Sequence, residues 1–250
     1  MAGDPVTVPG LRSEFYNQLD AIRTDVVHLA AMVTECISRG TDVLLSGDLA
    51  GAQQLIDDDD ELDVLSLQIE ERCYQVLTLE GPMAGDLRAL ITALRLVPEL
   101  ERSGDLMVNV CKAMRRIYGT EIDPKPRGLI ARMAEEAGRL MRIAIDAYDE
   151  RDEGKAAALD DMDDRLDALH KQYIQAIFLS NRAGNLDMEA GVQLALIGRY
   201  YERIGDHAVN IGERVRYMVS GWLPEHTGAA RAAARSDHKD LPEDQEGGPG

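Results

Sequence analysis

Aromatic side chains are scarce in this chain of 250 residues: two Phe, one Trp and eight Tyr make up 4% of it. That poverty suits Leu/Ile/Val/Ala helix packing better than a β-sandwich core. Cysteine is nearly as rare. Cys36, Cys73 and Cys111 stand 37 and 38 residues apart, a spacing that matches no zinc or thioredoxin-like motif. They lie in apolar helical stretches and read as small core residues, and so sparse and odd a count fits a reducing cytoplasm. No apolar run reaches the ~18 residues that a membrane span needs. The opening MAGDPVTVPG has no basic segment followed by an apolar one, so no secretory signal is expected. Basic residues are outnumbered, 27 against 45 acidic, for a net charge of −18. Phosphate contacts need clustered Lys and Arg, so the balance argues against duplex nucleic acid and against broad attraction to anionic lipid. It favours solubility, cations or a basic protein partner. No G-x-x-x-x-G-K-[S/T], G-x-G-x-x-G or H-E-x-x-H string occurs.

What is present is helical periodicity. Alternating Val/Ile/Tyr runs between turns are missing, and six amphipathic segments are predicted: 11–47 (with Gly40 a weak point), 48–79, 84–118, then a fourth to about 152, 155–181 and 186–221. Segment 119–126, GTEIDPKP, is the clearest linker. Short turns at 80–82 and 181–185 make successive helices antiparallel neighbours. The expected fold is all-α, two pseudo-symmetric three-helix bundles. The predicted organisation is a flexible N-terminus over 1–10, repeats over 11–119 and 126–222, and a tail over 223–250 rich in Pro, Gly, Ala and charge that reads as disordered.

The halves carry one motif twice. Glu101-Arg102-Ser103-Gly104-Asp105-Leu106-Met107-Val108-Asn109 recurs 101 residues later as Glu202-Arg203-Ile204-Gly205-Asp206-His207-Ala208-Val209-Asn210. Upstream, Asp59-Asp60-Glu61-Leu62-Asp63 matches Asp163-Asp164-Arg165-Leu166-Asp167 at an offset of 104. A repeat near half the chain length marks a duplicated unit, and here the shared positions are mostly polar. In helix 3 the apolar stripe Leu87, Leu90, Ile91, Leu94 and Val97 continues onto Glu101, Asp105 and Val108, which predicts two carboxylates in the buried seam. In helix 6, Gly191, Ala195, Gly198 and Gly205 share a face with Glu202 and Asp206. Gly costs about 1 kcal/mol relative to Ala in a helix interior, so several on one face imply that space is needed there.

An unpaired buried carboxylate costs several kcal/mol, and two at i, i+4 repel. Arginine pairing, protonation or a bound cation must offset that. Arg102 and Arg203 point about 100° away from the adjacent Glu and are expected to pair across the bundle. A metal ion would offset the cost directly. Asp59 with Asp63, and Asp163 with Asp167, add oxygen ligands at the stripe edges, and His170 lies on the same side of its helix as Asp163 and Asp167. Such oxygen-rich pockets, one per half, suit Mg²⁺, Mn²⁺ or iron better than thiolate-seeking metals. The competing reading of the acidic run alone is a solvated face. His207 reads as a hydrogen-bonding neighbour, its counterpart being Leu106, and His28 as a satisfied core or boundary residue.

The duplicated E-R-x-G-D-x-x-V-N string with D-D-x-L-D upstream resembles the PhoU family of phosphate-signalling regulators, over roughly residues 11–220. The resemblance implies two three-helix bundles and a negative regulator of phosphate uptake and of the phosphate-starvation response. It implies a cytoplasmic, non-enzymatic adaptor, peripheral to the inner membrane through its partners: a PstB-like transporter ATPase, a PhoR-like sensor kinase and a second copy in a homodimer. It also implies metal ions (Fe, Mn, Mg or Zn) on carboxylate clusters. By match, Glu101, Asp105, Glu202 and Asp206 are the first ligand candidates and Asp59, Asp63, Asp163 and Asp167 the next, with Asn109 and Asn210 orienting them from outside. Ser103 stands where the motif usually has Ile, and Pro98 is expected to kink or locally break helix 3; either departure is expected to tilt the first motif and weaken its site. Two other readings stay open: a carboxylate-bridged metalloenzyme, although no Glu-x-x-His occurs, and a metal-free helical scaffold.

Overall fold

Six long helices make up the described part of the protein. A computed structural model describes residues 9–221, with side chains from Ser13 onward. The predicted disordered tail and residues 1–8 of the predicted flexible N-terminus lie outside the described residues. The helices are α1 (Pro9–Ser46), α2 (Leu49–Glu80), α3 (Ala84–Arg116), α4 (Pro124–Glu150), α5 (Glu153–Arg182) and α6 (Met188–Ser220). Among the described residues there is no strand, and no helix is long and apolar enough to cross a membrane.

Local sequence sets the boundaries. The Asp48 carboxylate accepts from the Ala50 and Gly51 amides at 3.0 Å to start α2. Asp152 accepts from Gly154 and Lys155 at 2.8 and 3.0 Å, and Asp187 from Ala190 at 2.7 Å. Each satisfies amides that the first turn leaves unpaired. Gly81 and Gly221 end α2 and α6 in the left-handed region, at φ 55° and 77°, where a side chain would be strained.

α1, α2 and α3 pack on one another, as do α4, α5 and α6; α3 against α6 and α1 against α4 join the two triples. The apolar residues of both triples form one contiguous buried cluster, with α2 and α5 outermost. Polar ties cross between the halves. Thr41 and Tyr201 share a buried hydrogen bond of 2.7 Å, and Arg88 Nε donates to the Met218 carbonyl at 3.2 Å.

The glycine face of α6 is the groove into which α5 closes. Gly191, Gly198, Gly205 and Gly212 recur every seventh residue, and all four are buried. A Cβ at Gly198 would lie 2.6 Å from the Tyr173 ring, and one at Gly212 would lie 2.9 Å from the Ala156 carbonyl oxygen. Gly40, expected as a weak point, is likewise a contact: α1 runs through it unbroken, and a Cβ there would meet the Met107 methyl at 2.5 Å.

Candidate functional site

The first set of carboxylates comes together where α2 closes on α3. Gly104 permits the approach: a Cβ there would sit 2.9 Å from Leu62 Cδ1 and 3.4 Å from Asp59 Oδ1. Asp59, Asp63, Glu101 and Asp105 then share one field. Burial, then the charges of Asp63 and Asp105, push the Asp59 carboxyl up to about 6, against a smaller pull from Lys112. Burial and Asp105 raise Asp63, and burial followed by Asp105 and Asp63 raises Glu101.

The second set repeats this between α5 and α6. A Cβ on Gly205 would collide with Asp163 Oδ1 and lie 2.6 Å from Leu166 Cδ2. Burial, then Asp167, Asp206 and Glu202, push Asp163 up to about 6. Burial raises Asp206 as well, with Arg199 opposing and Glu202 adding to it. Here the cluster carries an arginine and a histidine as neighbours. Arg199 grips Glu202 through Nη1 and approaches Asp206 to 3.8 Å through Nη2, while His170 Nδ1 stands 3.4 Å from Glu202 Oε2.

Three features of this ground bear on a cation. Asp163 Oδ1 and His170 Nε2 are buried with no hydrogen-bond partner, an unusual state for polar atoms. Both clusters face a glycine where a side chain would fill the space beside the upstream Asp. The donors are carboxylates with one imidazole, which suits hard or borderline divalent ions. Among the described residues, however, no three His, Cys, Asp or Glu side chains stand in metal-holding geometry. Side-chain rotation would have to complete either site.

Several expectations are corrected. The carboxylates stand at the rim of the helix seams, not inside them: Glu101 and Glu202 are half-buried, Asp105 and Asp206 exposed. Stepping by sevens from Leu87 accumulates about 20° of drift per heptad, so Glu101 sits beside a buried line that runs through Leu100, Gly104 and Met107. Arg102 pairs with Glu99 of its own helix at 3.7 Å rather than across the bundle. Pro98 does not break α3, which runs unbroken from Ala84 to Arg116 and packs against α1, α2 and α6. Ser103 is buried and donates to the Glu99 carbonyl at 2.8 Å. His28 is exposed. The role expected of Asn109 and Asn210 is not overturned: Asn109 is half-buried, and the Asn210 amide donates to Glu99 at 3.0 Å.

Sequence reading missed three residues. Glu99 bridges the halves, bonded to His207 Nδ1 at 2.7 Å and to Asn210. Burial raises the Glu99 carboxyl, but the bonds from His207 and Asn210 and the charges of His207 and Arg102 outweigh it, and the net shift is downward. Glu136 of α4 is 3% exposed and pairs with Arg139 at 2.7 Å and Arg165 at 3.3 Å, tying α4 to the acidic motif of α5. Its signal was a carboxylate in register with Met133, Ala137 and Leu140. Arg199, one turn ahead of Glu202, carried the same kind of signal.

The PhoU domain family matches the chain twice, over residues 26–114 and 130–215. The chain belongs to the PhoU family. A Mycobacterium tuberculosis protein named phosphate-specific transport system accessory protein PhoU homolog 1 is 33% identical over 215 residues, covering 86% of this chain and 96% of that one. The homolog 2 of the same organism is 32% identical over 215 residues, 86% of this chain and 100% of its own. Among solved structures, PhoU from Pseudomonas aeruginosa superposes with a TM-score of 0.78 at 25% identity, over 83% of this chain and 100% of that chain. PhoU from Streptococcus pneumoniae gives 0.77 at 24%, over 84% and 98%. Each PhoU match holds one carboxylate cluster entire.

Proposed function

We propose that this protein is an accessory protein of phosphate-specific transport that restrains phosphate uptake and the phosphate-starvation response. It works by binding, without turnover, as a helical adaptor between a transporter ATPase and a sensor kinase at the inner face of the membrane. The observation that carries this reading is family membership over nearly the whole described chain, together with relatives named as accessory proteins of that system. The acidic balance agrees with docking on basic protein surfaces. Deleting the gene in its host tests the reading. Alkaline phosphatase output should stay high in phosphate-rich medium, and unchanged output in a strain without a paralogue would refute the repressor role.

Divalent or iron-type metal belongs to the same proposal. Asp59, Asp63, Glu101 and Asp105 would hold it in one half, and Asp163, Asp167, Glu202 and Asp206 in the other. Bound metal would supply the positive charge that lets each outer helix stay closed on its neighbour, fixing the acidic surface that partners read. Chelation that leaves partner binding intact would count against a metal-dependent switch. The pairing of Arg199 and His170 with Glu202 favours a second reading, a metal-free scaffold. It requires that replacing Glu202 and Asp206 by Ala be neutral or stabilising and leave no bound metal to lose.

A further inference from the structure

The two clusters carry the same carboxylates, but only the second has an arginine paired to them. Among the described residues, Asp59, Asp63, Glu101 and Asp105 have no ion-pair partner; Arg102 is turned to Glu99. In the second cluster Arg199 holds Glu202 and reaches Asp206, and His170 adds a nitrogen beside Glu202. The repeat offsets identify what stands in their places in the first half: Pro98, 101 residues before Arg199, and Ser66, 104 residues before His170. Neither carries a charge. The Arg199 side chain is 50% exposed, so water lies within its reach if the carboxylates are taken from it.

We infer that Arg199 is a resident counter-cation of the second cluster, one that an entering divalent ion must displace, so that the two clusters fill in order, the first before the second. This rests on the metal-binding reading above. An ion entering between α2 and α3 meets carboxylates that repel one another and have no ion-paired cation to displace, only the more distant charges of Lys112 on Asp59 and Arg102 on Glu101. An ion entering between α5 and α6 must first part the guanidinium from Glu202 and Asp206 and then share their field with it. Half-exposed ion pairs are weak, so the separation between the sites should be modest, about tenfold. Sequential filling spreads the response over a wider range of cation concentration than two equal sites would.

Calorimetric titration of Mn²⁺ into the chelator-stripped full chain, with bound Mn²⁺ counted by electron paramagnetic resonance, tests this. The wild type should show a tighter and a weaker class. Arg199→Gln should tighten the weaker class about tenfold and leave the tighter one in place, and Arg199→Lys, which keeps charge but loses the fork, should fall between. Pro98→Arg, which installs the guanidinium in the first half, should weaken the tighter class, with Pro98→Ala as its control. Helical content by circular dichroism checks that each variant is folded. Two classes that Arg199→Gln leaves unmoved, or a weaker class that loosens, overturn the displacement while sparing the metal reading. No Mn²⁺ bound by wild type or Arg199→Gln overturns both.

Discussion

Gly205→Ala tests the idea that the second cluster depends on close helix approach. In an open helix, replacing Gly by Ala gains about 1 kcal/mol. Gly128 of α4 provides that reference, since an added Cβ there would have nothing within 4 Å. At Gly205 the same methyl would run into Asp163 Oδ1 and come 2.6 Å from Leu166 Cδ2. The Asp163 carboxylate is the far end of a short, half-buried side chain and can swing toward solvent. Leu166 is fully buried and cannot give way without moving α5. Overpacking of this kind costs about 1–3 kcal/mol. Set against the propensity gain, the variant should lose up to about 2 kcal/mol, while Gly128→Ala gains up to about 1 kcal/mol. For a chain of this size 1 kcal/mol moves the midpoint by about 2–4 °C. Thermal and urea unfolding followed by circular dichroism would show opposite shifts for the two variants. A Gly205→Ala protein as stabilised as Gly128→Ala would refute the close-approach argument.

Three further outcomes are expected. Asp59 and Asp163 titrate near 6 in the folded chain against an ordinary 3.8, so the folded state holds their protons more tightly. Their stabilising contribution is complete below about pH 4 and lost as pH rises through about 6; it is small because both are half-exposed. Urea midpoints in chelator should carry a component that falls across that window, and Asp59→Asn with Asp163→Asn should flatten it. Glu136→Ala should cost about 1–3 kcal/mol by urea unfolding, short of a fully buried pair, because Arg139 and Arg165, at 45% and 64% side-chain exposure, can turn to water; Glu136→Gln should cost less. Tyr201→Phe removes the bond to Thr41, whose hydroxyl keeps the Ile37 carbonyl. It should cost about 1 kcal/mol, measured the same way.

The helices and their pairing were readable because they rest on local rules: apolar periodicity, and glycines and prolines at the turns. The duplicated motif was readable because a repeat is itself a statement about sequence. From it, the carboxylates of each half could be assigned to one neighbourhood before any coordinates. Their depth could not. Extending a stripe by sevens placed Glu101 and Asp105 in a buried seam, whereas helical drift leaves them on its rim. Residues that act across long separations were also out of reach: Glu99 meets His207 over 108 positions, and nothing near either predicts the other. Charge balance within a cluster was only half legible: Arg199 answers Glu202 from one turn away on the same helix, but His170 comes beside it only because α5 closes on α6. Which helices form, and which residues recur between the halves, follows from interactions a few positions apart and is written along the chain. How deep a carboxylate sits and which residue of another helix answers it depends on the approach of distant helices, and that is settled only when the six pack around one core.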